Sequence, residues 1–199
     1  MFHIGLTGNV ASGKSAVAEW FRAWGATIID ADQLVREAQA PGEPLLAAMA
    51  QRFGRDVLRP DGSLDRSRMR DIMLQDAEAR AGLNALVHPE VRRRSQLALD
   101  AARQRGDLVV VSDIPLLYEV MDPSDFDAVV LVDAPEAVRL ERLVRLRGLD
   151  PDEARALIDT QLPSSEKRSR ADYVIDNEGS LEDLRHAAHE VWTLLLERA

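Results

Sequence analysis

Apolar and polar positions along this chain fall into blocks whose period switches between strand-like and helix-like. Phe2 to Leu6 is a short, mostly apolar run, the pattern of a buried parallel strand. From Lys14 to Trp24 the apolar residues Ala16, Val17, Trp20, Phe21 and Trp24 recur at helical spacing, and Gly25 stops the run. Trp20 and Trp24 read as core residues. Ala26-Thr27-Ile28-Ile29 is a second strand, ending in Asp30-Ala31-Asp32. Strand, helix and strand in so short a span form a right-handed βαβ unit, the seed of an α/β fold.

Residues 33–105 change character, because strand signals vanish and helical stretches follow one another at about 33–40, 44–53, 65–75, 77–87 and 90–104. Pro41-Gly42-Glu43-Pro44 and Asp61-Gly62 are turns, Gly54 caps the helix before it, and Asp65 is an N-cap. His88-Pro89 predicts a helix boundary, since a proline disfavours helical backbone at the residue before it. The block reads as a helical lobe inserted after the second strand. Strands return at Leu108–Val111 and Ala128–Val132, both β-branched runs suited to burial on two faces. Helices are predicted from Pro135 to Arg147, from Asp150 to about Gln161, and from a capping box at Ser180 through Leu196. Tyr173-Val174-Ile175 is a last short strand. The fold class is therefore α/β, a parallel sheet flanked by helices.

Composition narrows the function classes. With 199 residues the chain fits one domain with an inserted lobe. A net charge of −9 disfavours nucleic acid as the main partner. The absence of cysteine removes disulfides, thiolate metal sites and thiol nucleophiles. No stretch has the charge and length of a signal peptide or a membrane span, so a cytoplasmic enzyme with no membrane partner is expected. A monomer is the default expectation, with an oligomer left open.

Candidate chemistry concentrates between the first strand and the first helix. Gly8-Asn9-Val10-Ala11-Ser12-Gly13-Lys14-Ser15, followed by Ala16, fits the phosphate-binding pattern of a P-loop NTPase. Glycines let the chain curl until several N–H groups converge on an anion, and the helix N-terminus adds its dipole. Lys14 is expected to neutralise the outer phosphates, and the Ser15 hydroxyl to hold Mg²⁺. Lysine is rare here: of 25 basic residues only Lys14 and Lys167 are Lys.

In open parallel sheets ligands sit beyond the carboxyl ends of the strands. Asp30 and Asp32 follow the second strand and Asp113 the third. Such acids coordinate Mg²⁺ directly or through water, or accept a proton from an attacking hydroxyl. Helix capping is the competing reading for Asp30 and Asp32. Arginines gather after the fourth strand as Arg139, Arg142, Arg145, Arg147 and Arg155. They suit either the charge of a moving phosphoryl group or surface pairing with Glu136 and Glu141. Arg92-Arg93-Arg94 reads most simply as a solvated helix face, with contact to an anionic substrate the alternative.

With these residues in place the sequence resembles the dephospho-CoA kinases over nearly its whole length. The segments that carry the likeness are Gly5-Leu6-Thr7-Gly8 with Ser12-Gly13-Lys14-Ser15, Ile29-Asp30-Ala31-Asp32, and Asp61-Gly62-Ser63-Leu64-Asp65-Arg66. His88-Pro89, Pro115-Leu116-Leu117-Tyr118-Glu119 and Ala171 to Ser180 follow. The resemblance implies transfer of the γ-phosphoryl of ATP, with Mg²⁺, to the ribose 3′-hydroxyl of dephospho-CoA. It also implies a nucleotide core (1–32, 106–138 and 171–199), a CoA-binding lobe (33–105) and an arginine-bearing lid (139–165). By position, Asp32 resembles the base facing the 3′-hydroxyl with Thr7 beside it, and Arg142 a lid arginine. Arg66, His88, Pro115 and Leu116 are the expected substrate contacts, and Asp113 an indirect metal ligand. Two features depart from the family's usual pattern. Asn9 and Ala11 stand where glycines are common, and Leu146, flanked by Arg145 and Arg147, stands where a second lid arginine is common. Other readings are a different small-molecule P-loop kinase, such as one acting on nucleoside monophosphates, or an NTP-dependent switch. No Asn-Lys-x-Asp stretch reads guanine here, since Val, Ala and Glu follow the three asparagines.

Overall fold

The computed structural model describes residues 1–199. Five strands, β1 (Phe2–Thr7), β2 (Thr27–Asp30), β3 (Val109–Asp113), β4 (Ala128–Asp133) and β5 (Tyr173–Asp176), form one sheet in the order β2-β3-β1-β4-β5. β1 lies at the centre and pairs in parallel with β3 and β4, and β4 with β5. The register sets Leu6 opposite Asp113 on one side and Val130 on the other, so β1 and β3 end nearly level while β4 runs two residues past the Thr7–Leu131 pair to Asp133. Every β3 and β4 residue is buried, which is why both read as unbroken apolar runs rather than alternating ones.

The chain divides into two compact units, Met1–Ile29 with Ala102–Ala199, and Asp30–Ala101. In the first, α1 (Lys14–Ala23) and α10 (Leu181–Arg198) cover the sheet through Val17, Phe21, Leu184, Ala188, Trp192 and Leu195. Phe21 and Trp192 meet with ring centroids 5.4 Å apart, and Trp20 and Trp24 pack against the same core. Burying each such aliphatic or aromatic side chain stabilises the fold by about 1.5–3 kcal/mol. α10 starts at the expected capping box of Ser180 and Asp183. α6 (Leu117–Val120), α7 (Glu136–Arg147), α8 (Pro151–Asp159) and α9 (Ser164–Arg168) complete this unit. The short α6 and α9 have no periodic sequence signal.

The second unit is mainly helical: α2 (Ala31–Ala38), α3 (Pro44–Phe53), α4 (Arg66–Gln75) and most of α5 (Ala77–Arg105), with one antiparallel bridge between Leu58 and Leu64. Its own core comprises Ala38, Leu45, Leu46, Met49, Val57, Leu64, Met69 and Leu83. Pro44 opens α3, and the Asp65 carboxylate accepts from Arg68 N at 3.0 Å to cap α4. One boundary expected from the sequence is wrong. α5 runs unbroken for 29 residues with Pro89 inside it. The proline removes one backbone donor, yet Leu83, Leu86 and Val87 are packed before it, and Glu90 pairs with Arg93 and Arg94 after it. Those contacts outweigh one missing hydrogen bond.

Candidate functional site

β1 delivers the chain into the phosphate loop, and two glycines there have steric causes. A Cβ at Gly8 would stand 2.5 Å from the Val132 carbonyl oxygen, and one at Gly13 would stand 2.3 Å from Asn177 Nδ2. Gly13 also takes φ 98°, a left-handed conformation that suits glycine. It is the N-cap of α1, whose first turn receives no side-chain hydrogen bond and contains no acid. An anion is the natural complement to that helix end. Ala11 is the single non-glycine residue with positive φ, at 59°. Asn9 does not share that conformation. It is buried, and its amide donates to the Leu162 carbonyl at 3.3 Å and Ser164 Oγ at 3.2 Å.

Lys14 forms an ion pair with Asp113 at the end of β3, and both side chains are nearly enclosed. Ser15 lies exposed in the first turn of α1. No trio of His, Cys, Asp or Glu is arranged to hold a metal. Mg²⁺ needs none, since it keeps several waters and takes one or two protein oxygens besides substrate phosphates. The Ser15 hydroxyl and the Asp113 carboxylate are donors of that kind.

Arg142 reaches from α7 to the phosphate loop. Its Nη1 donates to the Ala11 carbonyl at 3.2 Å, and its Nη2 to the Asn177 side chain at 3.0 Å. Its neighbours on the same helix behave differently. Arg139 is 3 % exposed, and its Nε donates to the Ala134 carbonyl at 3.1 Å. Burial pulls its guanidinium down from its ordinary value. Arg139 thus belongs to the core rather than to a phosphate-facing cluster. Arg145 makes the surface pair with Glu141 at 2.7 Å, and Arg147 is exposed.

The segment between α8 and α9 also meets the loop. Gln161 Oε1 accepts from Val10 N at 2.8 Å, and Ser164 Oγ donates to Asp133 at 2.8 Å. Lys167 is fully buried with Nζ 2.7 Å from Glu119 Oε1, an ion pair whose angles fall short of a hydrogen bond. Arg168 bridges Asp133 and Asp176 at the ends of β4 and β5, and the two carboxylates push its guanidinium up. None of Gln161, Ser164 or Asn177 stands out in the sequence as a functional residue. Their partners in the phosphate loop lie some 150 to 165 positions away, and no local pattern encodes such pairings. The one signal is that Asn177 falls inside the Ala171 to Ser180 stretch.

The other expected site residues divide between the units. Thr7 is completely buried and donates through Oγ1 to the Pro115 carbonyl at 3.1 Å. Leu116, beside it, is the exposed N-cap of α6. In the helical unit Asp30 caps α2 by accepting from Gln33 N at 2.9 Å. Asp32 stands exposed in the first turn of the same helix with no capping bond. Capping therefore accounts for one acid of that pair and not the other. Arg66 is the exposed first residue of α4, and His88, Pro89, Arg92 and Leu97 line a concave stretch of α5.

Comparison with known proteins fits this geometry. The family model for dephospho-CoA kinase matches residues 2–183. The chain belongs to the dephospho-CoA kinase family. Among curated members, that of Streptomyces avermitilis is 45% identical over 199 residues, covering 100% of this chain and 96% of the relative. A Thermus thermophilus crystal structure superposes with TM-score 0.81 at 36% identity, covering 98% of this chain and 97% of that one. The dephospho-CoA kinase from Campylobacter jejuni has TM-score 0.75 at 23% identity, with 98% and 97% covered, and shares the fold. No helix of this family member is long and apolar enough to cross a membrane.

Proposed function

We propose that this protein transfers the γ-phosphoryl group of ATP to the ribose 3′-hydroxyl of dephospho-CoA, yielding CoA and ADP. What carries the reading is the span of the family match, which covers the phosphate loop and the whole helical unit alike. Lys14 and the loop amides hold the β- and γ-phosphates. ATP then replaces Asp113 as the partner of the Lys14 ammonium. Ser15, through its hydroxyl, and Asp113, through water, would hold a Mg²⁺ ion. Such an ion would supply Lewis-acid charge neutralisation for the phosphates. Asp32 receives the proton of the attacking 3′-hydroxyl, a role supported by its place just past β2 and by its lack of a capping bond. Arg142 offsets the charge that spreads over the equatorial oxygens of the moving group. Thr7, Pro115 and Leu116 of the first unit are acceptor contacts by their place in the family's pattern, as are Arg66 and His88 of the second. The enzyme acts as a cytoplasmic monomer.

An ADP-release assay with dephospho-CoA, nucleoside monophosphates and no acceptor tests the activity. Turnover is expected with dephospho-CoA, and equal turnover with a monophosphate or with water would overturn the reading. Asp32→Asn is expected to lower kcat by about 10²–10⁴ while ATP affinity holds. A parallel loss of ATP affinity would assign Asp32 to the metal or the fold instead.

A further inference from the structure

Asn177 follows β5 and is 5 % exposed, so its carboxamide needs partners on both ends. It has them. Nδ2 donates to the Ser12 carbonyl at 2.7 Å, and Oδ1 accepts from Arg142 Nη2 at 3.0 Å. The same Nη2 also donates to the Asn177 carbonyl at 3.3 Å, and Asn177 N donates to the Asp133 carbonyl at 2.8 Å. One short side chain therefore joins the phosphate loop to the lid arginine, and the backbone of the same residue ties it to the end of β4. A carbonyl on one side and a guanidinium on the other admit only one orientation of the amide.

The consequence for the loop follows from peptide geometry. In a trans peptide the carbonyl and the following N–H point in opposite directions, and the chain has no cis bond. Drawing the Ser12 carbonyl toward Asn177 turns the Gly13 N–H the other way, to the side an anion would occupy. Ser12 N already donates to the Asn9 carbonyl at 3.0 Å, so Gly13 N–H is the donor this bond sets. On the other side, an arginine side chain carries about 2 kcal/mol of rotamer entropy, and two anchors on Asn177 with one on Ala11 remove much of that freedom before substrate arrives.

We propose that Asn177 is a positioning residue that couples Arg142 to the phosphate loop, holding both in the geometry that phosphoryl transfer uses. The proposal rests on the phosphoryl-transfer role of Arg142. No other residue type serves both ends. Aspartate would set an anionic oxygen against the Ser12 carbonyl, and glutamine is one methylene too long beside Gly13, where the amide already approaches the position of a Cβ.

The test is a double-mutant cycle on the full chain, with kcat and both KM values measured for Asn177→Ala, Asn177→Asp, Arg142→Ala and the Asn177→Ala/Arg142→Ala double variant. Melting temperatures accompany each, and if Asn177→Ala does not fold, the nearly isosteric Asn177→Asp takes its place in the cycle. Each Asn177 variant is expected to lower kcat by about 10–100-fold and to raise KM for ATP, with KM for dephospho-CoA changed less than about twofold. The double variant is expected to lose clearly less than the product of the two single losses in kcat, because the part of the Asn177 effect that runs through Arg142 is already gone in Arg142→Ala, while the part set through the Ser12 carbonyl remains. Multiplied effects in the double variant, or KM values that rise equally for both substrates, would overturn the coupling. A native kcat in Arg142→Ala would instead overturn the role of Arg142 itself, and the coupling with it.

Discussion

Ala11 holds a left-handed backbone at φ 59° in the middle of the phosphate loop, where an L-residue is disfavoured by about 1–2 kcal/mol. Replacing it with glycine relieves that cost but gives the unfolded chain about 0.4–1 kcal/mol more freedom to lose. Ala11→Gly is therefore expected to raise stability by up to about 1 kcal/mol, measured as a shift of the urea midpoint at constant m-value. A lower midpoint would show that the Ala11 methyl packs usefully against its neighbours around Leu143 and Ile158. The sequence marks both Asn9 and Ala11 as unusual, and Asn is the better candidate for positive φ on propensity alone. The reverse holds, because Asn9 spends its amide on Leu162 and Ser164 across more than 150 residues. Residue identity was legible here; the partner that decides its backbone was not.

At the scale of elements, α5 shows how packing overrides a local breaker. Pro89 lacks the N–H that would reach the Ala85 carbonyl, and its ring crowds the preceding turn, a combined cost of up to about 3 kcal/mol in a helix interior. The helix survives because its two halves are held separately. Leu83 sits in the helical core, while Arg94 bonds Glu90 and Glu43, and the two arginines hold the Glu90 carboxyl down to about 2. Pro89→Ala is expected to stabilise the chain by about 1–2 kcal/mol, the restored bond being partly offset by the freer unfolded state. Thermal melting and exchange of the amide at position 89 would report it. An unchanged or lower melting temperature would mean that a kink at this point is required by the packing. The strands, by contrast, were all readable, to within two residues at each end. β3 and β4 are buried on both faces, so an uninterrupted β-branched run has no other way to satisfy its surface.

Whole-molecule stability depends on what the central strand buries. His3 of β1 lies against Phe126, with ring centroids 5.0 Å apart, and its Nε2 is 2.9 Å from Ser112 Oγ. Burial pulls the imidazole below 6.5 and Arg103 adds to this, while Asp127 and Asp125 oppose it in part. Below pH 6.5 the unfolded chain therefore binds a proton that the folded chain resists, so stability is lost as pH falls from 6.5, and above 6.5 the group is neutral in both states. The denaturation midpoint is expected to drop between pH 7.5 and 5.5, and His3→Gln to flatten that drop. A slope that persists in the variant would assign it to other groups. At this scale the sequence determined the order of elements, the switch to a helical insert after the second strand, and the phosphate loop, because periodicity and glycine spacing are local consequences of backbone geometry. Tertiary structure alone decided which arginine meets the loop and which is buried. Arg139 and Arg142 are three residues apart on one helix with the same chemistry, and only the packing around them assigns one to the Ala134 carbonyl and the other to Ala11 and Asn177. The reason is physical: a hydrogen bond between residues distant in the chain exists only once the fold has brought them together.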